Sequence, residues 1–248
     1  MRLIRSHPPL AGDPPERLVL DELIRCPYLP GRTARLPLRL PARRLRPLEL
    51  TQRLTAGDRR QGFLLYRPSC PSCRACEAIR IDVERFQPNQ TQRRVFRKSE
   101  ALLQTTIGRP TLSAEKVALY NRHKVERGLL TSDGLIDADG YEQFLVDSCT
   151  DTLELAYRYQ GELIGVAVAD RAADALSAVY CFYDPSYAHL SPGVYSILKQ
   201  LDLCRAWGLR YLYLGLYVAD CSSMAYKARY LPHERLIDGE WVSFSRSC

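Results

Sequence analysis

"LELAYRYQGELIGVAVADRAADALSAVYCFYD", residues 153–184, holds three β-rich runs separated by two turn signals. LELAYRY (153–159) and ELIGVAVAD (162–170) flank Gln160-Gly161, and LSAVYCFYD (176–184) follows Ala172-Ala173-Asp174. Runs this short, with so few residues between them, read as three consecutive antiparallel strands. The period then changes. Ser191 can cap a helix, Pro192 suits its first position, and Val194, Ile197, Leu198, Leu201 and Cys204 recur at helical spacing up to Gly208. LRYLYLGLYV (209–218) reads as one more strand.

Three antiparallel strands, a helix and a strand are the order of an N-acetyltransferase-like acyltransferase core, an α+β arrangement in which donor and acceptor meet around splayed middle strands. That is an analogy of fold, and chemistry has to be argued from the site. Coenzyme-A users of such a core hold a pyrophosphate on a glycine-rich loop at the helix start, where backbone N–H groups point at the phosphates. Here the segment is SYAHLSPGVYS (186–196), which has Gly193 but no preceding basic or amide residue, and Pro192 removes one N–H donor. Acetyl-CoA is a poor candidate donor.

Working outward, the N-terminal side differs in charge and texture. Residues 1–110 carry 22 Lys+Arg against 10 Asp+Glu, whereas residues 111–248 carry 13 against 18, so the net +7 hides a basic half and an acidic one. All but one of the basic residues in the first half are arginines, whose planar fork suits phosphate. We therefore divide the chain into a basic N-terminal region, 1–110, and a transfer domain, 111–248. Prolines at 30, 37, 41 and 47 favour extended segments in the first region. GFLLYRP (62–68) and AIRIDV (78–83) read as strands flanking a loop with Cys70, Cys73 and Cys76. QTQRRVFRKSEALLQ (90–104) can form a basic helix, and Ser113 caps another that Gly128 closes. Nine cysteines, an odd number scattered along the chain, fit free thiols in a reducing cytosol. No export signal and no apolar run of membrane-spanning length is present, so a soluble cytoplasmic protein is expected.

CPYLPGRTARL (26–36), YRPSCPSCRACEAIRIDVERFQPNQTQRR (66–94), LSAVYCFYDP (176–185), GVYSILKQ (193–200), YLYLG (211–215) and CSSMAYKARYLPHE (221–234) carry a resemblance. In this order, from about Arg25 to Trp241, they are similar to the bacterial aspartate/glutamate leucyltransferases, relatives of the arginyl-tRNA–protein transferases of the N-degron pathway. Pro192 departs from the family's pattern. The resemblance implies transfer of leucine from leucyl-tRNA to the α-amine of a protein beginning with Asp or Glu, marking it for degradation.

An aminoacyl ester is already activated, so the reaction asks for positioning, a route for the amine's proton and stabilisation of an oxyanion, with no cofactor beyond the aminoacyl-tRNA co-substrate. No G-x-S-x-G nucleophile elbow is present. The acceptor's acidic side chain needs a cation in a confined pocket. Lys227, one of only five lysines, follows the last core strand and is the first candidate, with Tyr226 beside it. Tyr180, Tyr183 and Asp184, at the end of the third strand, are the catalytic candidates. Arg93, Arg94, Arg97 and Lys98 are the tRNA candidates. Cys70, Cys73 and Cys76 with Cys26 have the spacing of a zinc or iron–sulfur site, and equally of an inert turn or a redox pair. The resemblance adds that eukaryotic relatives have cysteine clusters in this region associated with iron–sulfur binding. An arginyl-tRNA donor, a CoA-dependent N-acetyltransferase and a metal-stabilised nucleic-acid-binding protein are the competing readings.

Overall fold

The computed structural model describes residues 12–130 and 134–245. Strands β1 (Glu16–Leu20), β2 (Leu23–Arg25), β3 (Thr33–Arg35) and β4 (Leu38–Pro41) precede helix α1 (Pro47–Thr55), which starts at the last of the four prolines. Next come β5 (Arg59–Gln61), β6 (Leu64–Tyr66), β7 (Glu77–Asp82), α2 (Gln90–Leu102) and β8 (Leu103–Gly108). α3 (Ala114–Glu126) and α4 (Ala138–Tyr141) lead to the hairpin strands β9 (Thr152–Tyr159), β10 (Glu162–Arg171) and β11 (Ala175–Tyr183). The chain closes with α5 (Pro192–Ala206), β12 (Tyr211–Tyr217), α6 (Ser222–Ala225), β13 (His233–Ile237) and β14 (Glu240–Phe244). The protein is thus α+β, with sheets that are antiparallel at every pairing except β11 with β12.

The local signals explain most of these elements. Gln160 and Gly161 both take positive φ, 50° and 88°, the conformation a two-residue turn between β9 and β10 demands. Asn89 caps α2 by accepting from Gln92 N, and Ser113 caps α3 by accepting from Lys116 N. Ser191 is different. It sits in the left-handed region at φ 53°, turning the chain from the 3-10 segment Pro185–Leu190 into α5, and its side chain makes no capping bond. Pro192 occupies the first helical turn without conflict, because no carbonyl there awaits its missing N–H.

A large sheet runs β14-β13-β7-β12-β11-β10-β9-β8. β10 is buried along nearly its whole length because it is covered on both faces. On one face Ile164 and Ala167 meet Ile197, Leu198, Leu201 and Cys204 of α5, the residues the helical period picks out. On the other, Val166 and Val168 meet Leu119 and Tyr120 of α3 and Tyr141 of α4. β7, which follows the cysteine loop, pairs with β12 in the middle of this sheet, so strands from both sides of residue 110 share it. A smaller sheet, β1-β4-β6-β5, carries α1, whose Leu50 and Leu54 pack with Leu65, Tyr211 and Tyr213. That packing brings β5 up to the centre of the large sheet.

Candidate active site

β11 and β12 pair only from Ala175–Tyr211 to Ser177–Tyr213, then part. Each strand is bulged where they separate. On β11, Val168 faces Tyr180 and Ala169 faces Ala178, which leaves Val179 as the extra residue. On β12 the register against β7 slips between Tyr213 and Leu216, with Gly215 at φ +82°. The separation costs the inner edges their ladder partners, and the carbonyls left behind need donors.

Two cations supply them. Arg59, the first residue of β5, reaches in from the small sheet, donating through Nη1 to Ser177 Oγ at 3.0 Å and through Nη2 to the Ala178 carbonyl at 2.9 Å. A Cβ on Gly215 would stand 3.2 Å from Nη2, so the glycine both takes the positive φ and leaves room for the guanidinium. Lys227, on the turn Tyr226–Arg229 after α6, donates to the Leu216 carbonyl at 2.6 Å and lies 3.5 Å from Met224 Sδ. Only 7% of it is exposed. Burial, then the nearby charge of Arg59, brings its ammonium down to about 7, with Cys221 opposing. Arg59 was not legible in the sequence, where GDRRQG (57–62) is simply a charged stretch.

The other expected residues lie at the end of β11 and on the turn that carries Lys227. Tyr226 is 40% exposed, its ring centroid 5.9 Å from Lys227 Nζ. Tyr183 accepts at its hydroxyl from Arg127 and stands edge-on to His123 at 4.8 Å, and a Cβ on Gly193 of α5 would come within 3.3 Å of its ring. Burial raises its phenol above the usual range, and Arg127 works against that rise. Tyr180 belongs to an aromatic cluster, 5.6 Å from Tyr120 and 5.4 Å from Phe144, and burial raises its phenol as well. Asp184 is already engaged, accepting from Ser186 N and Oγ at 2.9 and 2.6 Å and pairing with Arg122. Despite burial, the bonds from Ser186 and Arg122 hold its carboxyl below the usual range.

Arg93, Arg94, Arg97 and Lys98 are all exposed on α2. Arg93 and Arg97, with Arg205 of α5, rim a cavity of about 290 Å³ floored by Phe86, Phe96, Leu198 and Leu201. Lys98 donates to the His189 carbonyl at 3.1 Å.

Cys26, Cys70, Cys73 and Cys76 are free thiols. Burial, followed by the neighbouring Cys70, Cys26 and Cys73, pushes the Cys76 thiol up to about 12, and Cys221 adds to this. These mutual effects place the four thiols near one another, and a metal would have to displace their protons to bind. Among the described residues no group of His, Cys, Asp or Glu is arranged to hold a metal ion, so the zinc or iron–sulfur site that the cysteine spacing suggests has no support from the geometry. Among the described residues, no helix is long and apolar enough to cross a membrane.

Two family models match this chain: "Arginine-tRNA-protein transferase, N terminus" over residues 24–94 and "Arginine-tRNA-protein transferase, C terminus" over residues 115–237. They cover both the cysteine loop and the splayed strands, and mark the class as aminoacyl-tRNA–protein transferases. Relatives named aspartate/glutamate leucyltransferase extend the match along the chain. That of Chromobacterium violaceum is 40% identical over 87% of this chain and 89% of its own, and that of Halorhodospira halophila 41% identical over 86% and 91%. The chain belongs to the aspartate/glutamate leucyltransferase family. Among solved structures, L-PGS from Bacillus licheniformis reaches a TM-score of 0.44 at 11% identity over 58% of this chain and 47% of that one, a likeness too low to define the fold.

Proposed function

We propose that this protein transfers leucine from leucyl-tRNA to the α-amine of proteins beginning with Asp or Glu, marking them for degradation in the cytoplasm. The observation that carries the reading, beside family membership, is the buried Lys227 ammonium at the parting of β11 and β12, a cation with no carboxylate partner among the described residues. An acceptor carboxylate is the ligand such a site lacks.

In this reading the splayed strands serve as those of an N-acetyltransferase-like core. The α-amine attacks the leucyl ester carbonyl, a C–N bond forms, the ester C–O bond breaks, and the amine's proton leaves with the ribose hydroxyl. Tyr183 accepts from Arg127 and so keeps its own hydrogen to donate to the developing oxyanion. Tyr180 lines the same strand. Asp184 fixes the end of β11 by capping the 3-10 turn and pairing with Arg122, which suits holding geometry more than taking a proton. Tyr226 borders the acceptor side chain at Lys227. Arg93, Arg94, Arg97 and Lys98 hold tRNA phosphate. The region 1–110 supplies this cationic surface and 111–248 the transfer chemistry, a division of labour across one continuous sheet.

Incubating the protein with an Asp-initiated peptide and, in parallel, labelled leucyl-tRNA, arginyl-tRNA or acetyl-CoA tests the reading. Label should enter the peptide from leucyl-tRNA alone. Equal or faster transfer from either other donor would replace it.

A further inference from the structure

Among the described residues five lysines or arginines are buried: Arg59, Arg60, Arg80, Lys116 and Lys227. Three of them hold a carboxylate. Arg60 pairs with Asp170 at 2.7 Å, Arg80 with Glu234 at 2.7 Å and Lys116 with Glu154 at 2.6 Å. Such pairing is what burial of a charge requires, since an ion taken from water without a counter-charge costs several kcal/mol. Arg59 and Lys227 are the exceptions, and they stand at one place. Arg59 has no salt bridge of its own: it donates to neutral acceptors, Ser177 Oγ and the Ala178 carbonyl, on the β11 side of the parting, and feels Asp170 only at longer range, that carboxylate being bonded to Arg60. Lys227 bonds the Leu216 carbonyl on the β12 side, one residue after the Gly215 that Arg59 approaches.

We propose that Arg59 is a specificity-determining residue of this protein: together with Lys227 it receives the side-chain carboxylate of the incoming Asp or Glu. The assignment rests on the transfer reading and adds to it the residue from the N-terminal sheet that completes the acceptor pocket. A planar guanidinium beside an ammonium offers a carboxylate both a directional hydrogen bond and a second charge, which Asn or Gln cannot exploit to the same degree. The depth of the pair selects the kind of anion. An acidic side chain carries its carboxylate one or two methylenes from its backbone, whereas a polynucleotide phosphate is flanked by two ester chains and cannot follow into the gap between two strands. The two cations also sense each other, Arg59 being among the causes that lower the Lys227 ammonium, so an arriving anion relieves a repulsion already present.

The alternative role for Arg59 is structural, as the donor that satisfies the Ala178 carbonyl where β12 departs. The two roles separate in one experiment. Full-length wild type, Arg59→Met and Arg59→Lys are compared for leucyl transfer to peptides identical except for a first residue of Asp, Glu or Asn. Leucyl-tRNA affinity and melting temperature are measured alongside. Loss of one charge-assisted contact should lower kcat/KM for the Asp and Glu peptides about tenfold to a hundredfold in Arg59→Met, mainly through KM. The Asn peptide and the tRNA affinity should be unchanged. Arg59→Lys should fall between, because it keeps the charge and loses the planar fork. If Arg59→Met does not fold, Arg59→Lys decides, and its Asp-to-Asn ratio must lie below that of wild type. An unchanged ratio in a folded variant, with or without a lower melting temperature, would make Arg59 a structural tie and overturn the assignment. A drop in leucyl-tRNA affinity with the ratio intact would overturn it in favour of a phosphate contact. A wild-type chain that leucylates no Asp peptide would overturn the transfer reading itself, and the Arg59 assignment with it.

Discussion

Lys227 is held at about 7 against 10.5 for a solvated lysine, chiefly because it is buried. Converted at 1.36 kcal/mol per pH unit, that difference is about 5 kcal/mol of burial cost, an order-of-magnitude figure. Replacing Lys227 by Met removes the cost and also the bond from Nζ to the Leu216 carbonyl, which stabilises by roughly 1.5–3 kcal/mol. The variant should therefore be more stable below pH 7, by about 2–3 kcal/mol, or roughly 4–10 °C in melting temperature for a chain of this size. Its pH dependence is the sharper signature. Below pH 7 folded and unfolded chains both carry the Lys227 proton, and the cost is present in full. Between pH 7 and 10.5 the unfolded chain binds that proton and the folded chain does not, so wild-type stability rises with pH. The advantage of the Met variant should shrink across that window, reverse at about pH 9, and leave only the lost hydrogen bond at its upper end. Urea unfolding of both proteins between pH 6.5 and 10.5 measures this directly. A difference that stays flat with pH, or a Met variant less stable at pH 6.5, would refute the reasoning. The same variant should transfer leucine to Asp-initiated peptides at least ~10-fold less efficiently, the combination expected where a fold keeps an unfavourable group for its function.

Neutralising Arg93 and Arg94 together should weaken leucyl-tRNA binding and reduce the slope of log affinity against log salt by about 0.7–0.9 for each lost phosphate contact, and an unreduced slope would mean that they are solvated helix charges. Arg60→Met is the counterpart of the Lys227 variant: it strands Asp170, whose other oxygen accepts from Thr152 Oγ1, and should destabilise by about 3–5 kcal/mol in the same urea titration.

The sequence by itself determined what depends on near neighbours. Alternation and a Gln160-Gly161 turn define the β9–β10 hairpin, and a 3.6-residue period selects the face of α5 that is buried. Asn89-x-x-Gln92 and Ser113 start their helices, because a cap is satisfied within one turn of chain. The motif blocks also carry the family and, through Lys227, one wall of the proposed acceptor site. What only the tertiary structure decided concerns pairs of residues far apart in the chain. β7 enters the large sheet beside β12, joining residues 77–82 to 211–217, and no local period encodes which strand another will choose. Ser191 has the right residue type for a cap, but the turn out of the preceding 3-10 segment sets its φ at 53° and points its side chain elsewhere. The adjacent arginines 59 and 60 are indistinguishable as letters. In the fold, alternation along β5 sends Arg60 to Asp170 and Arg59 into the gap between β11 and β12, and the difference between a charge with a salt bridge and one without is set by residues more than a hundred positions away.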